Sequence, residues 1–360
     1  MMTGGKEVLK ISRRTFIKWS LLGSMGLSLA GCRRVLPWEK DPSEEAEEED
    51  KEKEKEIEKE KENSTREDEE AEKGEDDLLT HYPVPRRYLG RTGLTVSILG
   101  LGGAITVARQ DRREEAEKIV EKALDLGVNY IDTAPTYGHS ESNIGSILAE
   151  RRREVCLASK TEKRTYDGAM KEFEQSANRL GTDYLDLLQL HGVHSEEDWD
   201  KLKDSQGALK ALEELKYYGH IGHVGITGHK NAPLIKRALQ EYSFDSVLLT
   251  VNCGDVHQDS FIKEVLPVAK QKDMGIVGMK VASYGRIFRE EGVSQMEPAL
   301  QYALTQPVST VVVGVESMEQ LAENVKIAQE FAPLSEAQMQ ELEDLTYPYQ
   351  DEVNFFKHQW

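Results

Sequence analysis

From residue 86 onward, short apolar runs alternate with longer segments whose apolar residues recur every three or four positions. The short runs are rich in Val, Ile and Leu: Val96–Leu101, Tyr130–Thr133, Val155–Ser159, Leu185–Leu190, His223–Thr227, Ser246–Val251, Ile276–Val281 and Thr310–Val313. Continuous apolar runs of this length suit strands buried on both faces. The 3.6-period segments between them predict helices, among them Arg112–Leu126, Gly168–Leu180, Gly207–Tyr218, Pro233–Tyr242, Ser260–Lys272 and Met318–Phe331. A closing helix is expected at Ser335–Leu345, with Ser335 able to cap it. Ahead of these, Arg87–Ser97 alternates around a glycine-containing turn and reads as a short hairpin. Strands alternating with helices make an α/β chain with a parallel sheet, and eight such units over roughly 250 residues predict a closed (β/α)8 TIM-type barrel. A doubly wound open sheet is the alternative. It calls for a G-x-G-x-x-G loop after the first strand, and Gly100-Leu101-Gly102-Gly103-Ala104 lacks that spacing. The barrel is therefore preferred.

The first 80 residues have a different texture, and charge makes the division clear. The 360-residue chain carries a net −19. Residues 1–38 hold 7 basic and 1 acidic side chains, whereas residues 39–77 hold 8 basic and 22 acidic ones. The leader has a basic start followed by an apolar stretch, Trp19 to Gly31, too short to span a bilayer but suited to a signal-peptide core. Ser12-Arg13-Arg14-Thr15-Phe16-Ile17-Lys18 resembles a twin-arginine export motif, and Leu29-Ala30-Gly31-Cys32 resembles a lipobox. The expectation is a signal peptide at 1–31 that engages the twin-arginine (Tat) translocase. Cleavage would leave Cys32 as the lipidated first residue of an extracytoplasmic protein. Two or three acyl chains on Cys32 would anchor it stably to the membrane. Residues 32–81 are expected to be an acidic, disordered linker, because so few apolar side chains cannot offset chain entropy. The rest, 82–360, is expected to be one barrel domain. Its acidic balance argues against nucleic acid as a partner. With three cysteines and no C-x-x-C, neither a disulfide scaffold nor a cysteine-held metal or iron–sulfur cluster is expected.

Barrel chemistry sits where strands end, at the C-terminal face. The second predicted strand ends in Asp132 and leads to Tyr137, the third ends near Lys160, and the fourth ends at His191. An acid, a phenol, an amine and an imidazole thus converge on one rim. A phenol is a poor acid at neutral pH unaided. An ammonium beside it favours the phenolate, so Lys160, held by Asp132, is expected to lower the Tyr137 pKa. Tyr137 would then serve as general acid to a carbonyl oxygen gaining charge, with a neutral His191 positioning the same oxygen. The set suits carbonyl reduction by hydride, or alcohol oxidation in reverse.

From about Arg87 to Asn324 the chain resembles the aldo-keto reductase family. The likeness is carried by Leu89-Gly90-Arg91-Thr92-Gly93-Leu94, by Asp132-Thr133-Ala134-Pro135-Thr136-Tyr137-Gly138, and by Ala158-Ser159-Lys160-Thr161. Leu180-Gly181-Thr182-Asp183-Tyr184 through His191, Gly222 to Thr227 and Gly314 to Asn324 complete it. The resemblance implies a (β/α)8 barrel using NAD(P)H without a metal, and a catalytic tetrad of Asp132, Tyr137, Lys160 and His191. The cofactor positions match less closely. Thr227 and Gly228 stand where the family often has Ser-Asn to hold the nicotinamide amide, and Thr250 stands near a common Gln. Met279 or Tyr284 is left to stack on nicotinamide. Lys280 is either a pyrophosphate ligand or a packed or surface lysine. After Gly314, the family's NADPH-specific members often place Arg or Lys. Here Glu316 stands instead, and a carboxylate favours the ribose hydroxyls of NADH over a 2′-phosphate. Glu323 and Asn324 match positions that face adenine.

The resulting expectation is a lipid-anchored oxidoreductase acting on an aldehyde, ketone or sugar-like carbonyl. Cofactor carried out through the folded-protein export route would need recycling by a second substrate or a redox partner. The alternative is a non-catalytic nucleotide-binding barrel acting as a redox-sensing interaction module. Cys156 is expected mid-strand in the core. The aromatics Phe355, Phe356 and Trp360 either cover the pocket or dock the C-terminus. The loops Thr106–Arg113, His194–Asp200 and Phe288–Gln295 are expected to meet substrate.

Overall fold

The computed structural model describes residues 83–359. The expected signal peptide 1–31, the acidic linker 32–81 with its Cys32, and Trp360 lie outside the described residues. The strands in chain order are β1 (Arg86–Tyr88), β2 (Thr95–Ser97), β3 (Leu99–Gly102), β4 (Tyr130–Asp132), β5 (Cys156–Thr161), β6 (Leu185–Leu190), β7 (Ile221–Gly228), β8 (Ser246–Thr250), β9 (Gly275–Met279) and β10 (Thr310–Val313). The eight from β3 to β10 close into a barrel in the order β10-β3-β4-β5-β6-β7-β8-β9, with every neighbouring pair parallel. β1 and β2 form an antiparallel hairpin with Arg87 opposite Val96. Both the barrel and the hairpin are as expected.

Two packed apolar sets explain the continuous runs. Tyr130, Ala158, Leu187, Leu248, Val277 and Val312 cluster with Leu89 of the hairpin turn. Their chain neighbours Ile131, Leu157, Leu188, Val247, Ile276 and Val311 join the larger cluster with the surrounding helices. Side chains alternate along a strand, so the first set fills the barrel and the second faces the helices. Leu89 is pressed into the barrel because Gly90, at φ +51°, lies against the backbone of Met274 and Gly275. A Cβ there would come within 2.3 Å of Met274 carbonyl carbon. Cys156 opens β5 rather than lying mid-strand, and packs in the inner cluster. Burial pushes the Cys253 thiol up to about 12 and that of Cys156 higher, so neither supplies a reactive thiolate.

Several boundaries differ from the sequence reading, each for a local reason. Val96–Leu101 is two strands. Ile98 donates to Pro85 O at 2.8 Å on the hairpin side and accepts from Val311 N at 2.9 Å on the barrel side, so the chain changes partner there. Ser260–Lys272 is two short helices, Phe261–Glu264 and Leu266–Gln271, with Pro267 opening the second. β9 stops at Met279 because Lys280 adopts φ +64°. His194–Asp200 is only partly loop. Ser195 accepts from Asp198 N and starts a helix, Glu196–Lys203. At Ser335 the expected cap is a full capping box with Gln338.

The C-terminal segment docks against the loop after β8. Asn354 Nδ2 donates to Gly254 O at 2.8 Å, and Lys357 Nζ pairs with Asp255 Oδ1 at 2.7 Å. Phe356 is fully buried, and Phe355 lies 6.1 Å from the Tyr284 ring. Among the described residues, no helix is long and apolar enough to cross a membrane.

Candidate active site

A cleft of about 1300 Å³ opens at the C-terminal end of the strands. Asp132, Tyr137 and His191 line it, and Lys160 lies directly behind, fully buried on β5. Lys160 Nζ donates to Asp132 Oδ2 at 2.5 Å and to Thr133 O at 2.8 Å. It also lies 4.6 Å from the centroid of the Tyr137 ring. Gln189 Nε2 donates to the second Asp132 oxygen at 3.2 Å, so both carboxylate oxygens are engaged.

Tyr137 stands on the loop from β4 to the helix Ser140–Arg151. Thr133 Oγ1 donates to Ser140 Oγ at 2.8 Å across that loop, and His139 N donates to Ala108 O at 2.9 Å. Gly138, at φ +50°, makes this fit possible, since a Cβ would meet Ala108 O at 2.6 Å. The Tyr137 and His191 rings meet edge-on with centroids 5.8 Å apart.

The electrostatics correct one expectation. Burial raises the Tyr137 pKa, and Lys160 opposes that without overcoming it, so the phenol ends above its ordinary value. It is protonated at neutral pH and poised as a donor. Burial works against the Lys160 charge, yet Asp132 and Tyr137 outweigh it and raise the Lys160 pKa. Burial, aided by Lys160, holds His191 below its ordinary value, so the imidazole is neutral at pH 7.

The residues anticipated for nucleotide separate into two groups. Met279, Lys280, Gly314, Glu316, Glu323 and Asn324 all line the cleft, as does Tyr284. Lys280 Nζ donates to Tyr284 Oη at 3.0 Å, and burial brings its pKa down to about 7. Thr227, Gly228 and Thr250 stand outside the lining. The Thr227 hydroxyl accepts from Gly192 N at 2.8 Å, which ties β7 to the end of β6. At Gly228 a Cβ would point into Ile235 and Phe261, away from the cleft. Thr250 is fully buried. The structure adds Glu162, Arg164 and His229 to the lining. Gln189, behind it, also escaped notice. His229 adjoins Thr227-Gly228 in the chain, but nothing local shows that its ring turns inward. From the three anticipated substrate loops, Ala108, His194, Phe288, Ser294 and Gln295 reach the cleft. No described residue beyond Asn324 lines it, so Phe355 and Phe356 dock the C-terminus rather than cover the pocket.

The cleft suits a dinucleotide. It is long enough to run from Tyr137 to the start of the helix Met318–Gln329. Lys280, Glu316 and Glu323 lie along its wall. Among the described residues, no group of three or more His, Cys, Asp or Glu is arranged to hold a metal ion.

A parallel (β/α)8 barrel with a buried Lys–Asp pair behind a cleft-facing tyrosine defines a class of carbonyl-handling oxidoreductases. The family model described as "Aldo/keto reductase family" matches residues 98–291 and 280–346, and the chain belongs to that family. It is therefore an NAD(P)H-dependent oxidoreductase. The chain is 30% identical to the uncharacterized oxidoreductase YqkF of Bacillus subtilis, over 68% of this chain and 90% of that relative. It is 28% identical to the pyridoxal 4-dehydrogenase of Microbacterium luteolum, over 67% and 92% of the two chains. It is also 28% identical to the L-galactose dehydrogenase of Arabidopsis thaliana, over 74% and 97%. Among solved structures it is similar to the holo form of aldo-keto reductase AKR11C1 from Bacillus halodurans. That match has a TM-score of 0.63 at 28% identity, covering 73% of this chain and 96% of that one.

Proposed function

We propose that this protein is a membrane-anchored, extracytoplasmic oxidoreductase that interconverts a small carbonyl compound and its alcohol, with Asp132, Tyr137, Lys160 and His191 as its reactive group. The observation that carries this is the convergence of the four at the wall of one cleft, with Lys160 Nζ, behind it, 2.5 Å from Asp132 and 4.6 Å from the Tyr137 ring centroid. Bound nicotinamide supplies or accepts the hydride. Tyr137 gives its proton to the carbonyl oxygen as negative charge develops there, and takes it back in the reverse direction. Lys160 stabilises the phenolate left behind, and Asp132 with Gln189 holds Lys160 in place. Neutral His191 orients the substrate oxygen.

Lys280 is assigned to the pyrophosphate, Met279 or Tyr284 to the face of the nicotinamide, and Gly314, Glu316, Glu323 and Asn324 to the adenosine end. Glu316 supports use of NADH at least as well as NADPH, since a carboxylate repels a 2′-phosphate and accepts from ribose hydroxyls. The dehydrogenase names borne by two of the relatives favour a small aldehyde, sugar or related alcohol as substrate. Anchoring and export are proposed from Arg13-Arg14 and Cys32 in the sequence. A redox partner or a second substrate would then recycle the cofactor.

Tyr137→Phe tests the site. Turnover of a broad carbonyl and alcohol panel is expected to fall about 10²–10⁴-fold, with nucleotide affinity retained. Full activity in this variant overturns the assignment. A wild-type protein that binds nucleotide and turns over nothing would point instead to a redox-sensing binding module. Mass analysis of the native protein for acylated Cys32 tests the anchor, and an unmodified leader on the mature chain refutes it.

A further inference from the structure

Beyond β9 the cleft wall is built on a strained stretch of backbone. Lys280, Ser283 and Tyr284 adopt φ of +64°, +47° and +56°, three non-glycine residues in the left-handed region within five positions. All three line the cleft. Non-glycine residues enter this region at a cost, and they stay there only where the surroundings over-determine it. We propose that residues 349–355, in the C-terminal segment, are a strap that holds this loop in the shape that receives nucleotide, with Tyr349 and Ser283 as positioning residues. The inference rests on the nucleotide cleft assigned above.

The strap grips the loop along its length. Ser283 Oγ, fully buried, donates to Val353 O in the tail. The Phe355 ring stacks under the Arg286 guanidinium, whose carbon is 3.8 Å from the ring centroid, and lies 6.1 Å from the Tyr284 ring. Tyr349 Oη donates to Ile287 O at 3.0 Å and accepts from Val293 N at 3.1 Å, so one hydroxyl ties both ends of the turn that follows. It fits there because residue 292 is glycine, where a Cβ would come within 2.4 Å of that oxygen. Glu352 also pairs with Arg289, but both are exposed and the pair adds little.

The strap is itself fixed on its far side, by the loop after β8. Val353 is fully buried against Gly254, where a Cβ would meet its Cγ1 at 2.6 Å, and Asn354 Nδ2 donates to Gly254 O at 2.8 Å. That same loop braces the strained residues directly. Asn252 Nδ2 donates to Lys280 O at 3.0 Å, while its Oδ1 accepts from Gly254 N at 3.0 Å. The tail and the two loops are thus one bonded unit. No tail residue among those described lines the cleft, so the tail acts on a ligand only through the loop. Without the strap the left-handed residues relax, and Lys280 and Tyr284 leave the places where nucleotide meets them. Nucleotide then binds only the fraction of molecules that still hold the loop in place, and its apparent affinity falls by that fraction.

Two conservative variants of the full chain test this. Tyr349→Phe keeps the ring and removes both of its hydrogen bonds, and Ser283→Ala keeps the buried Cβ and removes the bond to Val353. Each is expected to raise the NADH Kd about tenfold, mainly through faster release, read by titration and stopped-flow of nicotinamide fluorescence. Hydrogen exchange of the loop amides, residues 281–288, should quicken in both variants of the nucleotide-free protein. With any substrate the wild type turns over, Tyr349→Phe should raise the KM for NADH and keep kcat at saturating NADH near wild type. An unchanged Kd in folded Tyr349→Phe overturns the proposal, and so does unchanged loop exchange. A tail that only stabilised the barrel would give that overturning result, a lower urea midpoint with Kd and loop exchange where they were. If wild type bound no NADH, the cleft assignment would fall, yet loop exchange in the two variants would still show whether the tail holds the loop.

Discussion

Two lysines in this barrel are fully buried against aspartates, and they do different work. Lys357 Nζ, in the C-terminal segment, donates to Asp255 Oδ1 at 2.7 Å, to Gln258 O at 2.5 Å and to Asp255 O at 3.3 Å. Asp255 accepts in turn from Ser260 Oγ and Ile262 N, both at 2.9 Å. Every charge-bearing group in that pair faces protein, and none lines the cleft. Lys160 is equally buried, but its third side faces the Tyr137 ring, and Asp132 reaches the cleft wall. Burial makes both ammonium groups dependent on a carboxylate, because an isolated charge in the interior is costly. Only in the second pair does the charge act on a group that a substrate can reach. A buried ion pair is therefore no sign of function until its remaining neighbours are known.

The sharpest way to separate the two pairs is to remove each lysine. Lys160→Met is expected to lower kcat/KM about 10²–10⁴-fold, because the Tyr137 phenolate loses its stabilising charge. Lys357→Met leaves Asp255 buried without its partner and should cost about 3–5 kcal/mol of stability, read as a lower urea midpoint. Its kcat per folded molecule should match wild type. Loss of turnover in folded Lys357→Met would break the contrast.

Lys280 is an intermediate case, since it lines the cleft and donates to the neutral Tyr284 hydroxyl. With its pKa near 7, it is charged below that pH and neutral above it in the free protein. Nucleotide phosphates restore the charge on binding, so Kd should stay level below pH 7. Above it, Kd should rise by up to about tenfold per pH unit. Titration of nicotinamide fluorescence at pH 6 and pH 8 reads this slope, and Lys280→Met should flatten it. The smallest effect expected is at Glu316. Comparable Kd values for NADH and NADPH, or tighter NADH, are predicted, and Glu316→Gln should tighten NADPH by a few-fold, on the order of 1 kcal/mol or less for a charge this exposed. A strong NADPH preference in wild type would remove Glu316 from the specificity argument.

Much of this was readable along the chain. Strand–helix alternation, the hairpin and the Ser335 cap are local patterns, set by side-chain periodicity and by which residues satisfy free backbone donors. Asp132, Lys160 and His191 could be placed on one rim because each follows a strand in a parallel barrel. What the sequence could not carry were facts about which side chains meet across strands. It could not show that the Thr227 hydroxyl is engaged by Gly192 N, just past the end of β6. It passed over Gln189, whose role exists only because its amide reaches Asp132 from two strands away. It also had the wrong sign for the Tyr137 pKa, since an ammonium at the right spacing is visible in a sequence and the depth of burial opposing it is not. The amino-acid order determined the fold and the reactive residue types, because those depend on short-range periodicity and strand ends. The tertiary structure alone decided which groups share a hydrogen bond and which charge prevails, because desolvation and cross-strand contact depend on residues far apart in the chain.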